Sequence, residues 1–447
     1  MPSAAPVAGA VVIGGGFSGT MIAAELARRE VSSVLVDGSG REGRGTAYST
    51  PEEAHLLNVV AEKMGAWADK PGDFARAVSA EGYQPDEFVS RRRYGEYLAN
   101  ILHEARASGL VTVVSMDARS AEWAAGGWAV GLSNGSRVGG RALVLAQGNQ
   151  APEPPALARS LPPTLFINDP WSDEGRSAIV RTAAGGGDVL VIGTGLTMVD
   201  VVLSLDEAAH RGRIVALSRR GLAPRAHADF EPAPVALEDV PEGSLVKLWR
   251  WLTRRGVEVG WRAAVDSLRP HSHALWQALS EKEQKRFLRH ARPWWDVHRH
   301  RIAPQVAGRI RRLVQMGQLE IVAGRIVDIW SGNQKLNVAI RRRGESETKD
   351  HQFELAVNCT GPLGSISESS DALLGSLFDK RLAKPDALDL GLEVDGKSRL
   401  VGAERAWAVG PLSKGKYWEI TAVPDIRGQV ARVADDIAEE LNNAVQS

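Results

Sequence analysis

The stretch Gly9-Ala10-Val11-Val12-Ile13-Gly14-Gly15-Gly16-Phe17-Ser18-Gly19 constrains this chain more than any other. Its apolar run reads as a parallel strand buried on both faces. Gly14, Gly16 and Gly19 then follow at G-x-G-x-x-G spacing, and an Ala-rich helix continues to about Arg29. Each glycine has its own reason. The first permits a tight turn, the second lets backbone approach a pyrophosphate, and the third lets the helix pack closely on the strand. The helix N-terminus, with Phe17 and Ser18 in its first turn, presents free N–H groups and a partial positive charge to phosphate. A second apolar run, Val34-Leu35-Val36, ends at Asp37, where a carboxylate accepts a ribose hydroxyl. A glycine turn alone fits any βαβ unit; strand, turn, helix, strand and acid in this order specify a dinucleotide site.

The pattern recurs. Asp188-Val189-Leu190-Val191-Ile192-Gly193-Thr194-Gly195-Leu196-Thr197-Met198-Val199-Asp200 repeats strand, turn and helix, with Met198 in place of the third glycine. That substitution predicts a slightly wider helix-to-strand spacing but leaves the Gly193 to Gly195 backbone open to a phosphate. The next strand, Ile214 to Leu217, ends in Ser218-Arg219-Arg220, with no acid at the place of Asp37. Guanidinium groups there suit a 2′-phosphate that a carboxylate would repel, which favours NADPH over NADH. A simple dehydrogenase needs one nucleotide fold, whereas a flavoprotein that takes hydride from a nicotinamide needs two. The first unit therefore reads as an FAD site and the second as an NADP site.

Two further strands stop at glycine: Arg141 to Leu145 running into Ala146-Gln147-Gly148, and Glu354 to Asn358 running into Cys359-Thr360-Gly361. Such strands bring backbone to a ligand or mark a crossover between domains. Gly43 to Tyr48 and His55 to Met64 are too polar and glycine-rich for a core helix. They read as a loop over the flavin, with Asn58 as the candidate catalytic residue because an amide both donates and accepts. Near the end, Trp407 to Leu412 reads as strand then turn at Gly410. A terminal amphipathic helix begins near Pro424 and could face the polar edge of the flavin ring.

Taken together, Gly14 to Gly19, Gly43 to Tyr48, His55 to Met64, Gly193 to Asp200, Leu217 to Pro224 and Trp418 to Gln429 resemble the bacterial FAD/NAD(P)-binding family. That family is related to flavin-dependent N-hydroxylating, class B-type monooxygenases. The resemblance implies two dinucleotide-binding domains, tightly held FAD and a nicotinamide reductant. In some similar enzymes the amino nitrogen of an amino acid is oxidised. The chain departs from the pattern at Ala146-Gln147-Gly148, where relatives have Ala-Thr-Gly, and at Asn58-Val59-Val60, where they have Asn-Val-Pro; the latter is expected to relax a rigid turn. The cofactor-binding candidates are Gly14, Gly16, Phe17, Ser18, Gly19, Asp37, Arg44, His55, Gly148, Gly193, Gly195, Leu196, Thr197, Arg219, Arg220, Gly361, Gly410, Trp418 and Thr421.

The expected fold is α/β, with two three-layer Rossmann-like domains. Residues 1–165 and 351–447 form a discontinuous FAD domain, and 166–350 form the NAD(P) domain with a helical insertion at about 230–305. The insertion is rich in Arg, His and Trp. Its tryptophans fit either a core or a cover over the flavin cleft, and His298, Arg299 and Arg301 are candidates to hold an anionic substrate or the NADPH phosphates. A His298-x-His300 pair without a carboxylate or cysteine cluster gives no metal site.

Composition excludes several classes. Fifty-four basic and 54 acidic residues cancel, so no global charge calls for a nucleic acid or a membrane surface. The one cysteine rules out both an internal disulfide framework and a dithiol redox pair. No run approaches the roughly 18 apolar residues of a membrane span, and Met1 to Ala10 lacks a signal-peptide pattern, so a cytoplasmic protein is expected. The leading expectation is an FAD-dependent, NADPH-using monooxygenase. It would hydroxylate a nucleophilic nitrogen or sulfur of a small molecule with molecular oxygen, through a flavin C4a-hydroperoxide. A flavin-linked reductase and a non-catalytic nucleotide-bound regulator are the alternatives.

Overall fold

The computed structural model describes residues 8–446, so the part of the N-terminal reading that concerns Met1–Val7 lies outside the described residues. Its first sheet is built from β1 (Ala8–Ile13), β2 (Ser33–Val36), β3 (Val111–Val114), β4 (Ala118–Ala124), β5 (Gly127–Leu132) and β6 (Arg137–Leu145). β3, β2, β1 and β6 run parallel in that spatial order, with Val12 opposite Leu35 and Val144. The far half of β6 pairs antiparallel with β5, and β5 with β4, forming a meander. Val11 and Val12 are fully buried, as a strand covered on both faces requires.

The second sheet repeats this plan with β7 (Phe166–Ile167), β8 (Val189–Ile192), β9 (Ile214–Ser218), β10 (Leu319–Gly332), β11 (Lys335–Arg342), β12 (Lys349–Phe353) and β13 (Leu355–Asn358). β10, β9, β8, β13 and β7 are parallel neighbours, and β11 and β12 extend β10 as an antiparallel meander. The chain then returns to the first sheet, where β14 (Ala406–Ala408) pairs parallel with β6. The expected boundary at 350/351 therefore falls inside β12, and the second sheet continues to Asn358. Sheet pairing, not composition, sets that limit.

Helices cover the sheets. Phe17–Arg28, Arg91–Ala107 and Val423–Gln446 share one core with a face of the first sheet, and Leu196–Glu207 and Pro304–Gln315 do the same for the second. The segment 245–299 is helical throughout most of its length and has its own apolar core. Six of the 13 tryptophans belong to that core: Trp276, Trp295 and Trp418 buried, with Trp249, Trp251 and Trp261 packed against them. Most of the Trp surplus of the insertion is thus packing. No helix among the described residues is long and apolar enough to cross a membrane.

Candidate cofactor and substrate site

The two glycine turns are geometrically equivalent. Gly14 N–H donates to Val36 O at 2.8 Å, and Gly193 N–H to Leu217 O at 2.8 Å. Both turns need glycine. Gly14 has φ +102°, and a Cβ there would lie 2.6 Å from Ala146 O; Gly193 has φ +117°, and a Cβ would lie 2.2 Å from Cys359 O. A Cβ at Gly19 would meet Gly14 O at 1.7 Å, the close helix-to-strand contact expected of the third glycine. In the second unit Met198 takes that place and is fully buried in the core.

The helices that follow begin at Gly16 and Gly195 with no side-chain cap, whereas Ser90, Ser172, Ser244, Ser280 and Asp371 cap theirs. The first-turn N–H groups behind Phe17-Ser18 and Leu196-Thr197 therefore stay available for an anion. A Cβ on Gly195 would meet nothing within 4 Å, and one on Gly16 nothing nearer than 3.6 Å, so each turn has open space for a phosphate. These features fit FAD at the first turn and a nicotinamide dinucleotide at the second.

Asp37 follows β2, with its Oδ2 accepting from Gly15 N–H at 2.5 Å and its Oδ1 from Ser39 N–H at 2.7 Å. The glycine turn thus holds the carboxylate in place. The hydrogen-bond equivalence of Val36 and Leu217 puts Ser218, not Arg219, at the position of Asp37. Arg219 comes one residue later, exposed, and makes no ion pair among the described residues. Arg220 Nη1 instead donates to His290 O of the insertion at 3.0 Å.

The Gly43–Tyr48 segment, expected as a loop, forms a single helical turn over Gly45–Tyr48 and lies across the first turn. Gly43 N–H donates to Gly15 O, and a Cβ on Gly45 would lie 2.7 Å from Gly16 Cα. Arg44 is exposed beside it. From the far end of the chain, Gly410 (φ +65°) approaches the same turn so closely that a Cβ would meet Ser18 Oγ at 2.6 Å. Gly148 and Gly361 both have positive φ and open surroundings at the ends of their strands. The structure therefore gathers Gly14–Gly19, Asp37, Arg44 and Gly410 around one turn, and Gly193–Thr197 and Arg219 around the other.

Three candidates fall elsewhere. His55 is 1% exposed and joins the two domains: Nδ1 lies 2.8 Å from Thr50 Oγ1, and Nε2 lies 3.1 Å from Asp200 O and 3.2 Å from Ser204 Oγ. Arg91 reinforces that seam, with Nη1 2.8 Å from the buried Asp200 carboxylate. His55 touches the second Rossmann helix rather than either glycine turn, because its loop ends against that helix. Trp418 is buried in the insertion core, stacked on Trp276 at 4.8 Å. Thr421 is exposed just before helix Val423–Gln446.

Asn58 is half-buried, and its carbonyl lies 3.0 Å from His227 Nε2. His227 was not singled out in the sequence; it lies in a polar loop without periodicity. At the departures from the family pattern, Gln147 Nε2 donates to Asp371 Oδ2 at 2.8 Å. Val60 has φ −68°, close to the value a proline ring would fix, so the turn keeps the same shape without the ring.

The charged residues around Arg299 are committed to partners. Glu419 is 5% exposed at φ +72°. It accepts from Trp295 Nε1 at 2.6 Å and lies 2.7 Å from Arg299 Nε and 3.7 Å from His300 Nε2. Burial would raise its carboxyl, but the charges of Arg299 and His300 outweigh that and lower it. Arg301 pairs with Asp266 at 2.6 Å, and His298 Nδ1 lies 2.8 Å from Trp294 O. Arg299 and Arg301 are thus neutralised within the protein, against the expectation that they await an anion. No group of three metal-ligating side chains occurs among the described residues.

Residues 11–150 match the model of the FAD-NAD(P)-binding family. No curated protein matches the chain by sequence. Among solved structures, the Kutzneria ornithine N-hydroxylase, determined with reduced FAD, NADP+ and L-ornithine, aligns over 97% of this chain and 100% of its own, at TM-score 0.68 and 14% identity. L-lysine 6-monooxygenase from Pseudomonas syringae aligns over 98% and 100%, at 0.67 and 18%. Thioredoxin reductase of T. acidophilum aligns over 98% and 99%, at 0.55 and 11%. At such identities the likeness is one of fold. Residues 11–150 are accordingly an FAD-NAD(P)-binding domain, carried in a chain with the fold of the N-hydroxylating flavoprotein monooxygenases.

Proposed function

We propose that the chain is an FAD-dependent, NADPH-using monooxygenase that hydroxylates a nucleophilic nitrogen of a small molecule. The observation that carries this reading is the pair of equivalent, uncapped glycine turns on two sheets, joined through His55, Arg91 and Asp200 into one body. When bound, FAD supplies two-electron chemistry that passes hydride equivalents from a nicotinamide to oxygen. The residues do the rest. Gly14–Gly19 and Asp37 take the pyrophosphate and ribose of FAD, and Gly193–Thr197 with Arg219 take the phosphates of NADPH. The seam of His55, Arg91 and Asp200 fixes the angle at which the second domain presents its nucleotide. Asn58 offers an amide at the expected flavin edge, and the helical insertion limits access of water.

The dithiol form of the reductase alternative is disfavoured by Cys359, and a reductase with another acceptor is separated from the monooxygenase by the turnover test. Cys359 is the sole cysteine, buried, and burial raises its thiol far above the ordinary range, so it supplies no reactive thiolate. The greater fold similarity to N-hydroxylases than to thioredoxin reductase supports the same choice.

The test is aerobic turnover of FAD-loaded protein with NADPH and a panel of primary amines under labelled dioxygen. The expected product is a hydroxylamine carrying the label. Electrons appearing wholly as hydrogen peroxide with every amine would refute the reading.

A further inference from the structure

Lys414 lies outside the insertion and reaches its core at Trp418. It lies four residues after Gly410, and its ammonium makes no hydrogen bond and no ion pair among the described residues. Its Nζ lies over the ring of Trp418, 5.3 Å from the centroid. Arg292 lies over the same ring at 5.7 Å, and its one carboxylate contact is Nε to Asp296 at 3.3 Å. Glu419, the other acid nearby, is taken by Arg299. Two cations therefore share one tryptophan with too few acids between them. Burial, and then the charge of Arg292, bring the Lys414 ammonium down to about 8.

Both cations line a cleft, together with Gly148, Asn149, Gly364 and Pro411. The cleft adjoins the first nucleotide turn on two sides. Gln147, next to Gly148, would have its Cα 2.9 Å from a Cβ on Gly14, and Gly410, next to Pro411, approaches Ser18. The backbone N–H groups of Gly148, Asn149 and Gly364 donate to no protein acceptor among the described residues. A half-buried ammonium without an acid is costly unless a ligand compensates it.

We propose that Lys414 and Arg292 form an oxyanion-binding subsite in this cleft, taking a carboxylate or phosphate group. The group comes either from a nucleotide phosphate or from the substrate. The guanidinium pairs in plane with two oxygens, while the ammonium acts as a point charge.

The test uses full-length FAD-loaded protein without turnover, so its outcome is independent of the oxygenase reading. Calorimetric titration with inorganic phosphate and with succinate is compared for the parent, Lys414→Met, Lys414→Arg and Arg292→Gln. At least one anion should bind saturably. Lys414→Met should weaken it about tenfold or more, with Lys414→Arg retaining most of the affinity. Lys414→Met removes a charge without a partner, so its melting temperature should not fall, which separates lost binding from lost folding. Anaerobic flavin reduction then identifies the source. A matching rise in the NADPH dissociation constant of Lys414→Met assigns the oxyanion to the nucleotide, and an unchanged constant assigns it to the substrate. Failure of both anions to bind the parent, or equal binding to Lys414→Met, overturns the subsite.

Discussion

At the scale of single residues, the two glycine turns make opposite demands at neighbouring positions. Gly193 is required by the fold, because a Cβ would enter Cys359 O and its φ of +117° is strained for any other residue. Gly195 has an ordinary φ of −83° and open surroundings, so only a ligand needs its bareness. Gly193→Ala should therefore cost about 3 kcal/mol or more in urea unfolding. Gly195→Ala should stay within about 0.5 kcal/mol of the parent yet weaken NADPH about tenfold or more in anaerobic flavin reduction. Arg219→Ala should weaken NADPH about 10- to 150-fold, the worth of one charged hydrogen bond, and leave NADH unchanged. Equal loss for both nucleotides would contradict the 2′-phosphate role. These turns were legible in the sequence because their requirement is local. Lys414 was not, since its lack of an acid depends on where Asp296 and Glu419 are spent.

Between elements, the decisive contacts join segments far apart in the chain. Arg91, which opens helix Arg91–Ala107, reaches Asp200 in the Leu196 helix across 109 residues, a pairing that no spacing rule reveals. Arg91→Ala leaves a carboxylate buried without its partner, at a cost of about 3 kcal/mol. FAD content should hold while hydride transfer from NADPH slows, as rapid-mixing absorbance would show. The C-terminal helix is tied to the first sheet by Asp436, which accepts from Arg399 Nε at 2.7 Å and Trp407 Nε1 at 3.0 Å and pairs with Lys397 at 2.9 Å. Burial opposes its ionisation, but these donors bring it from 3.8 down to about 2. A carboxyl depressed on folding contributes stability above its unfolded value and loses it as pH falls. Asp436→Asn should therefore cost about 2 kcal/mol at neutral pH, and the difference from the parent should vanish between about pH 4 and pH 2. A constant difference across that window would show that packing, not charge, is what the substitution removes.

In the whole molecule, one plan is used twice: parallel strands, a glycine turn, a helix and an antiparallel meander. The repetition of strand, turn and helix could be read from sequence because buried parallel strands are continuous apolar runs. The meanders could not, since pairing partners at long separation leave no local pattern; the return of the chain's end to the first domain was expected, but not that β14 lies beside β6. The Trp-rich insertion was legible as helical, but its core role emerged only when Trp276, Trp295 and Trp418 were seen packed together. In the proposed reaction, electrons enter from a nucleotide on the second sheet and leave to oxygen from a flavin on the first. Rapid mixing of NADPH-reduced, FAD-loaded protein with oxygenated buffer tests this most directly. Oxygen should be consumed first, and the oxidised flavin spectrum should return only in a later, resolved step, with little peroxide when a suitable amine is present. Return in a single step, with one peroxide for each flavin whatever amine is added, would contradict it.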